Sequence, residues 1–150
     1  MTTKHRIPIR PDKPNPKDPN RTCPLMMSCT YPELHPHIGG FTSASPCCTV
    51  PIVVHLTNGA PIGSKKLAFL FDVVAAPSFT FSGMTKSMLE LKPGDTTSVS
   101  LMAHFYGPGT YDVNQFRFSI DVRPNNRSKE EMIAFQFPSL SYLVRVVENM

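Results

Sequence analysis

Four cysteines fall in the first third of the chain, Cys23, Cys29, Cys47 and Cys48, with His35 and His37 among them. Thiolate and imidazole are the ligands zinc prefers, so this set could in principle hold a metal. Structural zinc sites draw on closely spaced pairs, however, and no C-x-x-C stands here. Cys47 and Cys48 are adjacent, which sends them to opposite faces of any strand. The expectation is free thiols of a reducing compartment, with no metal ligand assigned. The other candidate for chemistry is His104, in "TSVSLMAHFY". An imidazole acts as a base only with a nucleophile or an acid beside it. The sequence places Ser100 and Met102 on its side of a strand and offers no acid in a recognisable context. A solvent-facing or packing histidine is expected.

No G-x-S-x-G elbow, phosphate loop or H-E-x-x-H is present, so no catalytic and no cofactor-binding residue is assigned. Charge points the same way. The net charge is +4, but the excess lies up to Arg21, where six basic residues face two acidic ones. Beyond that, nine basic and nine acidic residues balance. A nucleic-acid groove needs clustered Lys and Arg with aromatics among them, and neither part supplies it. No nucleic acid is expected as a partner. The longest apolar run, within "KLAFLFDVVAAP", is too short to span a bilayer and carries Asp72. The start, "MTTKHRIPIRPDK", lacks the apolar core of a signal peptide, and a cytoplasmic location is the expectation.

What must position these side chains is a set of short strands. "CCTVPIVVHLTN" puts Val50, Ile52, Val54 and Leu56 on one face at period two. Leu67, Phe69, Phe71 and Val73 alternate likewise, as do Val99, Leu101, Ala103 and Phe105. Phe116, Phe118, Ile120 and Val122 alternate against Arg117, Ser119, Asp121 and Arg123. "SFTFSG" and "LSYLVRVV" add two more runs, and "NNRSKEEMIAF" could hold a turn of helix. Turn signals such as Asn58-Gly59 and Pro93-Gly94 separate them. About seven strands so spaced predict an all-β fold, an immunoglobulin-like antiparallel β-sandwich, over residues 46–150. Residues 1–45 read as a Pro-rich basic arm and loop, largely irregular, and the stretch Leu25–Pro46 at its end could supply one edge strand or belong to a preceding domain. Pro8, Pro11 and Lys13 in "PIRPDK" fit the Pro-x-x-Pro-x-basic pattern of SH3 grooves, although a linker explains them as well.

Between two alternating runs stands "FYGPGTYDVNQF". A tyrosine opening a strand just after a glycine-containing corner resembles the tyrosine corner of immunoglobulin-like folds. Gly107, Gly109 and Tyr111 are therefore expected to be architecture and not chemistry. The apolar parity slips between Val113 and Phe116, which predicts a bulge at Asn114 or Gln115.

With the strands laid out, "LELKPGDTTSVSLMAHFYGPGTYDVNQFRFSIDV" and the closing "SLSYLVRVVENM" resemble the C-terminal immunoglobulin-like region of trafficking protein particle complex subunit 8, over roughly the last two-thirds of the chain. The resemblance implies a non-catalytic scaffold in a TRAPP III-like vesicle-tethering complex. Such complexes serve endoplasmic-reticulum-to-Golgi traffic and autophagy by promoting nucleotide exchange on a Rab-type GTPase. It also implies other protein subunits as partners, no cofactor, and a peripheral place on Golgi and intermediate membranes. Leu143 and Val147 then become candidate interface residues, because the last strand is apolar on both faces. Cover by the N-terminal segment would explain them equally. The rival is a stand-alone sandwich that binds an apolar ligand between Phe69, Phe71, Phe79 and Phe81, or acts as an adaptor through its arm.

Overall fold

The computed structural model describes residues 2–8, 24–121, 132–135 and 141–149. Among these it holds twelve strands and no helix: β1 (Thr2–Pro8), β2 (Leu25–Pro32), β3 (Leu34–Ile38), β4 (Cys48–Asn58), β5 (Leu67–Val73), β6 (Phe79–Gly83), β7 (Lys86–Leu91), β8 (Thr96–Phe105), β9 (Gly109–Asp112), β10 (Phe116–Asp121), β11 (Met132–Phe135) and β12 (Leu143–Asn149). One sheet runs β1-β2-β4-β8-β6, a second β11-β10-β5-β7 and a third β3-β12-β9. All pairs but one are antiparallel; the exception is β3 with β12. The fold is an immunoglobulin-like β-sandwich.

Period-two apolar spacing builds it. Along β4 the even-numbered residues from Cys48 to Asn58 are buried and the odd ones face outward. Its partner β8 supplies Val99, Leu101, Ala103 and Phe105 to the same interior. From the facing sheet come Phe69 and Phe71 of β5 with Phe116, Phe118 and Ile120 of β10. These rings pack on one another, Phe71 lying 5.5 Å from Phe118 and 5.8 Å from Phe116 between centroids. Each such buried side chain contributes about 1.5–3 kcal/mol relative to exposure. β12 closes the interior with Val144 and Val146, just after the buried Tyr142, whose ring lies 5.3 Å from Tyr31 of β2.

Several elements depart from the sequence expectation. β2 and β3 stand before the expected start of the sandwich at residue 46. β2 is hydrogen-bonded to β4 inside the large sheet, and Leu25, Met27, Cys29 and Tyr31 enter the core. β1 pairs along the whole of β2, from Thr2 opposite Pro32 to Pro8 opposite Met26, so this part of the arm is a strand. "MIAF" is strand β11 and not a turn of helix, because it pairs with β10. The parity slip at residues 113–115 is no bulge within one strand. The strand ends at Asp112, and the chain crosses from the three-stranded to the four-stranded sheet before β10. In that crossing the Gln115 amide donates to the Val113 carbonyl and the Val74 amide to the Gln115 carbonyl.

The turns follow their residues. Lys92 to Asp95 closes with the Asp95 amide on the Lys92 carbonyl, Pro93 setting its own φ and Gly94 taking φ +84°. Asn58 is buried at the Asn-Gly turn, where its side-chain oxygen accepts from the Ala60 amide and its nitrogen donates to the Leu91 carbonyl.

Candidate interaction surfaces

The outward face of the large sheet collects hydroxyl and imidazole groups. β4 presents Thr49, Pro51, Val53, His55 and Thr57; β8 presents Thr96, Ser98, Ser100, Met102 and His104. None of these ten carries a carboxylate or an amine. Strand register brings them into rows. His104 has Thr49 Oγ1 3.0 Å from Nδ1 and Ser82 Oγ of β6 2.7 Å from Nε2. His55 sits in the same way between Ser98 Oγ, 2.9 Å from Nδ1, and Thr30 Oγ1, 2.9 Å from Nε2. A neutral imidazole donates from one nitrogen and accepts at the other, so in each row one hydroxyl gives a proton to the ring and the other takes one.

The sequence offered His104 no nucleophile; the structure brings Ser82 to it from 22 residues away. A serine on an imidazole is the start of a nucleophilic pair, but the position that would orient the base holds Thr49. A hydroxyl does not stabilise an imidazolium as a carboxylate does. What this arrangement does is fasten three neighbouring strands from outside, β4 to β8 to β6.

At this same C-terminal end of β8, Tyr111 reaches Gly107 and Phe105. The Tyr111 hydroxyl donates to the Gly107 carbonyl at 2.8 Å. Its ring stacks on Phe105 at 4.4 Å and meets Phe79 edge-on at 5.8 Å. Tyr111 thereby joins β9 of the small sheet to β8 and β6 of the large one.

The small sheet carries the candidate interface residues. On β12 Val144 and Val146 point inward, while Leu143 and Arg145 are exposed and Val147 is half-buried. Next to them on β3 stand Leu34 opposite Arg145 and Pro36 opposite Val147, with Ile38 two residues on. Leu34 and Ile38 are exposed too. Sequence reading had missed Leu34, Pro36 and Ile38, though their alternation with His35 and His37 was there to find. A groove of about 370 Å³ runs beside this face, lined by Pro108, Gly109, Thr110 and the β12 residues Arg145 to Glu148.

The cysteines and histidines do not converge. Cys29 is buried on β2, and burial pushes its thiol up to about 12. Cys48 points into the core beside Phe105 of β8, its thiol raised by burial and then by Cys47, which lies outside near Thr49. His37 turns instead to Ser45 and packs on Phe41 at 4.4 Å. His35 is held below the usual imidazole range by burial and by His37. Among the described residues, no three His, Cys, Asp or Glu side chains lie close enough to hold a metal. Cys23, Pro11 and Lys13 fall outside the described residues, and Pro8 ends β1.

Comparison with protein families matches residues 25–123 to the TPPC8 C-terminal Ig-like domain, well over half of the chain. The chain belongs to the TPPC8 C-terminal Ig-like family. This is a domain of a TRAPP subunit. The TPPC8 match begins at Leu25, the first residue of β2, and so includes β2 and β3, in the stretch expected to be loop-like with at most one edge strand. It ends at residue 123, before β11 and β12. Among curated proteins, no significant match was found. No helix among the described residues is long and apolar enough to cross a membrane.

Proposed function

We infer that this chain is a non-catalytic scaffold module, a TPPC8-type sandwich that holds other subunits of a TRAPP III-like tethering complex in endoplasmic-reticulum-to-Golgi traffic and autophagy. The observation that carries the reading is the family match over residues 25–123, which makes the domain part of a complex subunit and protein its natural partner. It works in the cytoplasm, peripheral to Golgi and intermediate membranes, as such a subunit would. The four phenylalanines of the rival ligand-binding reading favour this view. Phe69 and Phe71 are fully buried among Phe116 and Phe118, while Phe79 packs on Phe81 at 5.0 Å and on Phe105 at 5.2 Å, so the rings fill one another's space.

The test is gentle affinity purification of the tagged full chain from its native cells, with mass spectrometry of what accompanies it. Tethering subunits in comparable amounts are expected. A soluble, folded chain that brings none of them overturns the reading.

A further inference from the structure

We propose that the outer face of the small sheet, centred on Arg145, is the surface through which this module binds its partner, and that the partner offers a protein segment in which aliphatic side chains flank a carboxylate. The proposal rests on the scaffold reading above and deepens it.

The geometry begins with the grid of β3 and β12. Leu143, Arg145 and Val147 follow one another along one face of β12, and Leu34 lies directly across from Arg145. Leu34 is 55% exposed, Ile38 80% and Leu143 49%, on a strand pair whose other face sends Val144 and Val146 into the core and leaves His35 and His37 half-buried. Exposed aliphatic groups gathered on one face beside an arginine, a residue enriched at interfaces, make a candidate docking patch. Arg145 decides what docks. Unlike Arg117, which pairs with Asp72, it has no ion pair recorded among the described residues. A partner that covers the aliphatics also covers the guanidinium, and a covered guanidinium without a counter-charge is strongly unfavourable. The partner must therefore bring a carboxylate, whose two oxygens match the guanidinium fork.

A protein is favoured over an anionic membrane because the patch holds one cation, not a cluster, and Glu148 lines the same groove. Strand addition at the β3 edge is disfavoured by Pro36, which has no amide proton to give. The segment thus lies on the face and not along the edge.

The experiment uses the full chain in its native cells, with a photo-crosslinking residue at Leu143 or at Ile38, and with Arg145→Glu, Arg145→Lys and Ile62→Asp variants. Ile62 is 97% exposed, lies in the loop between β4 and β5, and serves as the control. Crosslinks from both positions are expected in one protein segment holding Asp or Glu between aliphatic residues. Arg145→Glu should reduce recovery of that protein at least tenfold while the denaturation midpoint stays unchanged. Replacing the captured carboxylate by lysine should restore binding to Arg145→Glu, and Ile62→Asp should bind normally. Adducts to lipid, to a second copy of this chain or to a segment without a carboxylate overturn the proposal, as does the absence of adducts. Equal recovery of tethering subunits by Arg145→Glu and the unaltered chain also overturns it, yet leaves the scaffold reading standing. An unaltered chain that recovers no tethering subunit refutes that reading instead.

Discussion

The Tyr111 hydroxyl reaches back four residues to the Gly107 carbonyl, 2.8 Å away, while its ring stacks on Phe105. The two contacts separate by substitution. Tyr111→Phe keeps the ring and removes the hydrogen bond, and a loss of about 1 kcal/mol is expected. Tyr111→Ala removes both and should cost about 3 kcal/mol or more. Urea titrations check this: the midpoint falls in that order, and an unchanged slope shows that the denatured state is not involved.

Gly83 and Gly94 both hold positive φ, +99° and +84°. They differ in surroundings. A Cβ on Gly83 would come 2.9 Å from the Ser100 carbonyl oxygen, whereas one on Gly94 would meet nothing within 4 Å. Gly94→Ala should therefore cost only the backbone term, about 1 kcal/mol. Gly83→Ala adds a clash with rigid backbone and should cost roughly 2–3 kcal/mol. Equal losses in thermal denaturation would refute the distinction.

The row Thr49–His104–Ser82 predicts coupling across strands. In a double-mutant cycle, His104→Ala and Ser82→Ala should interact by about 0.2–1 kcal/mol. A coupling of zero would mean that the 2.7 Å contact contributes nothing to stability.

These rows show where sequence stops being informative. Alternation along β4, β5, β8 and β10 was legible, because burial of one face writes period two into each strand. The Tyr111 contact with the Gly107 carbonyl spans only four residues and so is local enough for sequence to suggest. The partners of His104 were not legible: Thr49 is 55 residues away and Ser82 is 22, and only strand register places them. β2 was hidden for another reason. Its inward residues Leu25, Met27, Cys29 and Tyr31 do alternate, but they follow a Pro-rich stretch and include none of the β-branched residues that usually mark strands. The pairing of β3 with β12 joins segments more than a hundred residues apart, and no local pattern encodes it.

Stability should fall in alkali. Burial raises the Cys29 thiol from 9.0 to about 12. Tyr31 is raised from 10.0 to about 12, first by burial and then by Cys29, Glu33 and Asp112. Above pH 9 the unfolded chain loses these protons first, so it binds fewer than the folded chain, and unfolding becomes easier with each rise in pH up to about 12. The stability contributed is complete below pH 9. Urea midpoints between pH 8 and pH 11 should decline, and less steeply in Cys29→Val. A parallel decline in both proteins would rule out Cys29 as a source. In the folded protein, thiol reagents should label Cys47 before Cys29 and Cys48, as their burial dictates.

β12 lies between β3 and β9, bonded along both sides. A pull along β12 from its C-terminal end slides it lengthwise against both neighbours. Its hydrogen bonds then carry the load together, in shear, instead of opening one after another like a zip. The inward Val144 and Val146 would also have to be dragged out of the interior before the strand could leave. The small sheet is thus a mechanical clamp: strong against tension along that strand, and weak only to a force that peels it sideways.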